Sequence, residues 1–133
     1  MRSGLVTLLT GESTISTIVG SRVYISKAPQ KAAFPHIVIT QMRSDELPAL
    51  DGTPGLRFLE FDIDCKSERS VEAQTLGDAV RVFIDDYTGA AGSQTVDAVI
   101  LNDESTDYEV PRDASDKGVH TTLLDVTIQY SPA

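Results

Sequence analysis

The stretch 56–66, which reads Leu-Arg-Phe-Leu-Glu-Phe-Asp-Ile-Asp-Cys-Lys, constrains the fold more than any other part of the chain. From residue 59 onward, apolar and charged side chains alternate strictly, which is typical of a β-strand with one buried face. The next segment, 70–87, carries apolar residues at helical spacing. These residues are Ala73, Leu76, Val80, Phe83, Ile84 and Tyr87. The two segments together predict a strand followed by a helix that packs back over its sheet.

The remaining patterns predict one α+β domain spanning residues 1–133, with a mainly antiparallel sheet and helices packed on one face. A short helix is expected over 3–9 with a further turn over 15–19, and a short extended piece over 22–25. Further strands are expected over 36–43, 95–102, 106–110 and 119–130. Loops or turns are expected over 44–55, 88–94, 102–105 and 112–118. The predicted element order is α-β-β-α-β-β-β.

Composition narrows the class of protein. The 133 residues include twenty acidic and eleven basic ones, giving a net charge of −9. This balance argues against a nucleic-acid-binding surface, which needs Lys and Arg on phosphates, and against binding to anionic membranes. No apolar run approaches the ~20 residues of a membrane-spanning helix, and the N-terminus lacks a signal-peptide pattern. A single cysteine, Cys65, excludes an intrachain disulfide and favours a reducing, cytoplasmic setting.

The charged face of the central strand is the most suggestive group of side chains. Glu60, Asp62 and Asp64 alternate with apolar residues, so their neighbouring carboxylates lie about 7 Å apart. That spacing suits the paired carboxylates of a glycosidase or a divalent-cation cluster. It equally suits a solvated face that pairs with basic residues of adjacent strands. A third interpretation is that the row meets the basic residues of a neighbouring subunit.

Other patterns that could carry chemistry are weaker. His36 and His120 each begin a strand, and neither has a second ligand at zinc spacing, so both are expected at the surface or a sheet edge. Asp103, Glu104 and Asp107 lack the calcium-loop pattern and are expected to cap a turn. The sequence contains neither a Gly-x-Ser-x-Gly elbow nor a Gly-x-x-x-x-Gly-Lys phosphate loop. We therefore expect a protein that is not an enzyme and uses no metal or cofactor.

Several short motifs, in their order along the chain, resemble a known family. They are Gly20-Ser21-Arg22-Val23-Tyr24, Ala28-Pro29-Gln30, Phe34-Pro35-His36-Ile37-Val38-Ile39, Leu50-Asp51-Gly52 and Phe61-Asp62-Ile63-Asp64-Cys65, followed by the helix with Ala73, Leu76 and Val80. This series is similar to the tail-completion proteins of long-tailed bacteriophages, a group that includes tail terminators and tail-to-head joining proteins. The likeness covers nearly the whole chain, although the C-terminal third matches only in pattern.

The resemblance implies a structural virion protein without catalysis. It implies a homo-oligomeric ring, usually six-fold, at the head-proximal end of the tail tube. The ring ends tube polymerisation and joins the tail to the head connector. The implied partners are further copies of the chain, the tail tube protein and the head–tail connector protein. DNA only passes through, no membrane is involved, and the host cytoplasm is the place of assembly.

A closed ring needs two different complementary patches on each subunit. The connection 44–55 supplies one candidate patch, because it carries apolar residues that a solvent-exposed loop does not require. The interface candidates in this segment are Asp45, Glu46, Leu47 and Leu50. The second candidate is the acidic face. Its carboxylates would repel DNA phosphates in a tail bore. The candidates for a bore lining or interface are Glu60, Asp62, Asp64, Asp103, Glu104 and Asp107.

Two alternatives remain open from the sequence. A head-side connector or stopper subunit would share the size, the acidity and the ring symmetry. A carboxylate-dependent hydrolase would use the acidic row of the central strand for catalysis.

Overall fold

A computed structural model describes residues 2–29, 32–47, 56–85, 87–92, 94–110 and 118–131. These residues form three helices and six strands. The helices are α1 (Arg2–Thr10), α2 (Ser13–Val19) and α3 (Ser70–Ile84). The strands are β1 (Val23–Ile25), β2 (His36–Leu47), β3 (Leu56–Ser67), β4 (Gly89–Ala91), β5 (Gln94–Glu109) and β6 (Val119–Ser131). The fold is α+β, as predicted.

The six strands form one sheet in the order β1-β2-β3-β6-β5-β4. Every neighbouring pair is antiparallel except β1 and β2, which are parallel. The sheet is therefore mixed, while its four long strands, β2, β3, β6 and β5, are antiparallel throughout. The late strand β6 lies between β3 and β5, so the centre of the sheet brings together residues about 60 positions apart in the sequence.

The helices pack on one face of this sheet, and the alternation of β3 decides which face. Leu59, Phe61, Ile63 and Cys65 are all buried, as predicted. The buried residues of α3, which lie on its side toward the sheet, are Ala73, Leu76, Gly77, Val80 and Ile84. Phe83 and Tyr87 pack partly buried against the same core. The predicted strand and covering helix are therefore confirmed, with α3 ending at Ile84 instead of continuing to residue 87.

The start of α3 is held by a side chain of the preceding strand. The Ser67 hydroxyl accepts a hydrogen bond from the Arg69 backbone N–H at 3.0 Å and donates one to the Glu72 carboxylate at 2.7 Å. Ser67 thereby satisfies a donor near the helix N-terminus, and Glu72 places negative charge in the first turn, where the helix dipole favours it. The N-cap residue itself is Arg69, whose side chain makes no capping hydrogen bond.

The predicted bounds of strands and turns are wrong in three places. β5 is one continuous strand, so the expected turn over 102–105 is absent. Residues 103–105 pair with β6, which satisfies their backbone groups despite their turn-forming side chains, and Asn102 is a bulge within the strand. The expected break over 88–94 contains β4. Residues 44–47, expected in a loop, extend β2 because they pair with the first residues of β3. The observed order is α-α-β-β-β-α-β-β-β, which differs from the predicted one because the turn expected over 15–19 is helix α2 and the extended piece expected over 22–25 is strand β1.

Both outer edges of the sheet are covered only in part. β1 pairs with β2 at Ile37, Val38 and Ile39, and β4 pairs with β5 over 94–96. Within the described residues, no strand pairs with the outer side of β2 over 40–47 or with that of β5 over 97–109. β2 and β5 run in opposite directions, so β1 and β4 cover opposite ends of the sheet. Each side of the sheet therefore has an open stretch of edge strand.

Among the helices of the described residues, none is both long enough and apolar enough to cross a membrane.

Candidate functional site

The face of the sheet that carries no helix is the candidate functional site. Its side chains are those that alternate with the buried residues of β3 and β6. The register sets Asp62 of β3 directly opposite Asp125 of β6, and Asp125 in turn opposite Asp103 of β5. Three carboxylates thus form a row across three adjacent strands. We refer to this helix-free surface as the acidic face. The acids it gathers are Glu60, Asp62, Asp64, Asp103, Asp107, Glu109 and Asp125.

Burial and like charge act together on the centre of the acidic face. The pKa of Asp62 is raised, first by burial and then by the negative charges of Asp125 and Asp64. The pKa of Asp64 is also raised by burial, and the nearby Lys66 ammonium partly opposes this. Asp64 Oδ1 is buried and has no hydrogen-bond partner among the described residues. The folded protein therefore holds negative charge here at a cost in stability.

One neighbouring side chain offsets part of this repulsion. The Asn102 amide donates a hydrogen bond to Thr127 Oγ1 at 2.7 Å and approaches Asp125 Oδ1 at 3.5 Å. Asn102 lies where β5 shifts register between Leu101 and Asp103. The extra residue of such a bulge can aim its side chain out of the regular pattern. The bulge therefore brings an amide donor to the row of carboxylates.

The acidic face is not arranged as a metal centre in the part of the chain that the structure describes. No group of three or more His, Cys, Asp or Glu residues there is placed to hold a metal ion. What the face can do chemically is present a field of negative charge. Such a field repels phosphates and attracts a basic protein surface.

Glu104 does not belong to the acidic face, although the sequence grouped it with the others. It lies opposite Leu124 on the helix-covered face, and its carboxylate is 3.6 Å from Arg81 Nε of α3. Asp103 and Asp107 do join the acidic face. Both lie within β5, paired with β6, and do not cap a turn, so the turn expectation for these acids is wrong.

Asp125 is the acid that the sequence prediction omitted. Apolar and polar residues alternate along β6, and this alternation puts Asp125 on the polar side of the strand. That was the signal in the sequence by which Asp125 could have been found. Its role appears only when β6 is inserted between β3 and β5, because that order sets it against carboxylates on both sides.

The two histidines differ in environment. His36 is buried, with 4% of its surface exposed, so its expected surface position is wrong. Its Nδ1 lies 3.0 Å from the Ala33 carbonyl, to which it donates, and its ring stacks on Phe34. His120 is half-buried and lies in β6, which has a neighbouring strand on each side, so its expected position at the surface or a sheet edge is also wrong. Its ring lies 4.6 Å from that of Tyr108. Tyr108 and His120 line a cleft of about 500 Å³ beside the first turns of α3.

The predicted interface segment is divided by the structure. Asp45, Glu46 and Leu47 lie in β2, where their backbones pair with residues 56–58 of β3. Leu50 lies outside the described residues. The segment therefore contributes edge strand over 45–47, whereas the sequence suggested a loop.

Comparison with known proteins places the chain in a family. The sequence profile of the family described as "Tail completion protein gp17" matches residues 3–129. No curated protein matches the chain. Among solved structures, a chain of the "Virion of native gene transfer agent (GTA) particle" has a TM-score of 0.64 at 14% sequence identity, covering 98% of this chain and 93% of that one. At that identity the likeness shows a shared fold.

The predicted resemblance to phage tail-completion proteins is thus confirmed, since the profile spans nearly the whole chain. The chain belongs to the tail completion protein gp17 family, whose members are structural, non-enzymatic virion proteins.

Proposed function

We propose that this protein forms a ring, six-fold on assembly, that caps the head-proximal end of the tail tube. The ring ends tube polymerisation and joins the tail to the head connector. The observation that carries the proposal is the match of residues 3–129 to the tail-completion family. The partners in this proposal are further copies of the chain, the tail tube protein and the head–tail connector protein. Assembly takes place in the host cytoplasm.

The acidic face has a use in such a ring. DNA must pass along the tail without being retained, and carboxylates repel its phosphates while a basic lining would hold them. We place Glu60, Asp62, Asp64, Asp103 and Asp107 toward the bore, with Asp125 between them. The helices on the opposite face of the sheet then lie on the outside of the ring. Glu104, which faces Arg81, takes no part in this lining.

The segment 45–50 is the proposed contact with an adjacent subunit or with the tube. The double substitution Leu47→Asp, Leu50→Asp is expected to abolish ring formation or binding to the tail end while the fold is retained. Circular dichroism checks the fold, and sedimentation of tails with bound protein checks the binding. Assembly of this variant at the normal level would contradict the contact. Val71→Asp, at an exposed position of α3 on the helix-covered side, serves as the matched control.

The experiment that tests the function is electron microscopy of particles that lack this protein. Overlong tails without heads are expected, because nothing ends tube growth or joins the tube to the connector. Tails of normal length that fail to attach, with the wild-type protein found on heads, would instead favour a head-side connector or stopper subunit. Tails of normal length joined to heads would contradict both functions.

A further inference from the structure

We infer that copies of this chain join through their sheet edges: the open stretch of β5 in one copy pairs, antiparallel, with the open stretch of β2 in the next. The inference rests on the proposed ring and deepens it by naming the surface through which the ring closes. The occupant of each open edge is therefore a second copy of this chain.

The open edges supply the chemistry of pairing. An edge strand presents a row of backbone N–H and C=O groups that another strand can satisfy. In the described residues these rows run over 40–47 of β2 and 97–109 of β5. Residues 102–109 of β5 are exposed throughout. Both stretches exceed the length of an average strand, so the two edges offer a substantial set of unmade hydrogen bonds.

Strand direction makes one copy a suitable neighbour for the next. The four long strands are antiparallel and even in number, so β2 and β5 run in opposite directions. A second copy in the same orientation therefore brings its β2 antiparallel to β5, and the order of the sheet continues across the joint. A contact between two different edges is heterologous, and this kind of contact generates rings when its rotation closes.

The short strands β1 and β4 restrict the register of this pairing. In the next copy, β1 already pairs with residues 37–39 of β2. β5 of the first copy can therefore pair only with residues 40–47 of that strand. Setting residues 103–109 of β5 against 40–47 of β2, with Met42 left as the bulged residue that it already is against β3, places Thr40 opposite Glu109 and avoids β1. Within one copy, Thr40 and Asp103 lie at the same height across the sheet, because they belong to one row of cross-strand partners. Pairing between copies instead sets Thr40 opposite Glu109, so adjacent copies are displaced along the strands by about six residues. A stagger between strands is what closure of a sheet requires.

Charge favours this partner over a second β5. Residues 103–109 of β5 carry four acids and no base, a net charge of −4, whereas residues 40–47 of β2 carry Arg43, Asp45 and Glu46, a net charge of −1. A second β5 would therefore meet stronger repulsion than β2 does. On β2, the exposed Arg43 pairs with Glu60 and therefore lies on the acidic face, as does Asp107. With Met42 as the bulged residue, this register sets Arg43 of the next copy directly opposite Asp107, with Cβ atoms about 4.5–5.5 Å apart.

Cysteine cross-linking tests the pairing. Arg43→Cys and Asp107→Cys chains are made separately, mixed, assembled on tails and oxidised. We expect a disulfide-linked dimer only in the mixture, and a ladder of larger multimers from the double variant. The native thiol of Cys65 gives no background, because it is fully buried and burial raises its pKa.

The controls separate this inference from the proposed function. Asp97→Cys also lies on β5 but about 30 Å along the strand from residue 107, so it should not cross-link to Arg43→Cys. Tails that carry the variants yet yield only monomers, or cross-linking of Asp107→Cys with itself, would overturn the pairing and leave the tail-end ring intact. Overlong tails in particles that lack the protein report on the ring function alone.

A charge exchange decides the matter if the cysteine variants do not enter tails. Arg43→Asp and Asp107→Arg should each reduce ring assembly severalfold, because each sets like charges against one another. The double variant Arg43→Asp, Asp107→Arg should restore assembly. A double variant that assembles no better than either single one contradicts the pairing.

Discussion

Asp62 on β3 lies directly opposite Asp125 on β6, on the face of the sheet that carries no helix. Directly opposed side chains are the closest cross-strand neighbours in an antiparallel pair, and like charges in this position destabilise the sheet. Because the family is structural, the retained repulsion suggests a use for the charge itself. In the proposed ring, that use is to keep DNA from adhering to the bore.

Replacement of Asp62 by Asn should stabilise the isolated protein by roughly 0.5 kcal/mol at neutral pH. The pKa of this carboxyl is higher in the folded state than in the unfolded state, so its ionised form destabilises the fold. This loss of stability is absent when the pH is below the unfolded-state pKa and develops as the pH rises through the folded-state pKa. Urea unfolding at low and high salt measures the effect, which salt should reduce. Glu68→Gln is the control, since Glu68 is exposed in the turn between β3 and α3, away from the acidic face. Equal gains from both variants would contradict the explanation.

Charge reversal at Asp103 should impair DNA delivery without preventing tail assembly. Asp103→Lys places an exposed cation in the row that we propose lines the bore, where it can bind phosphates. DNA release per assembled particle is expected to fall, with the loss greatest at low salt. Asp78→Lys makes the same change on the exposed side of α3 and should leave release unchanged. An equal effect of the two variants would contradict the bore assignment.

Gly77→Ala should destabilise the fold by about 1–3 kcal/mol. Gly77 faces Thr122 of β6, and a Cβ at position 77 would overlap Thr122 Cγ2 and lie 2.8 Å from its Cβ. The helix must then move away from the sheet. Thr122→Ala in the same chain should recover only part of the loss, because the Cβ of residue 122 remains. Thermal unfolding measures both variants. Thr75→Ala, at an exposed position of α3, should not show the loss.

His36 should make the fold less stable in mild acid. Burial lowers its pKa, a hydrogen bond to the Ala33 carbonyl raises it in part, and the positive charges of Lys66 and Arg22 lower it further. The unfolded state therefore binds the proton more readily, so stability is lost as pH falls from about 6.5 through the folded pKa. His36→Gln should flatten this part of the pH dependence, and His120→Gln should retain it. Unfolding free energies between pH 7.5 and 5 test this, and identical slopes for wild type and His36→Gln would contradict it.

Local periodicity determined much of the fold from the sequence alone. The alternation over 59–65 fixed the buried side of β3, and the helical spacing from Ala73 to Ile84 fixed the face of α3 that covers it. Both patterns depend only on the direction of successive side chains, so they can be read without knowing the neighbouring elements. The order of short motifs likewise sufficed to indicate the family.

The tertiary structure decided what no local pattern contains. The row of Asp62, Asp125 and Asp103 exists because β6 inserts between β3 and β5, and the register shift beside Asn102 turns Asp103 toward that row while Glu104 faces Arg81. The same pairing with β6 kept 102–105 extended against its turn-forming composition. Strand order and register depend on packing between residues distant in sequence, and their hydrogen bonds outweigh local preference. For the same reason, the two open edges could be recognised only once the sheet was assembled.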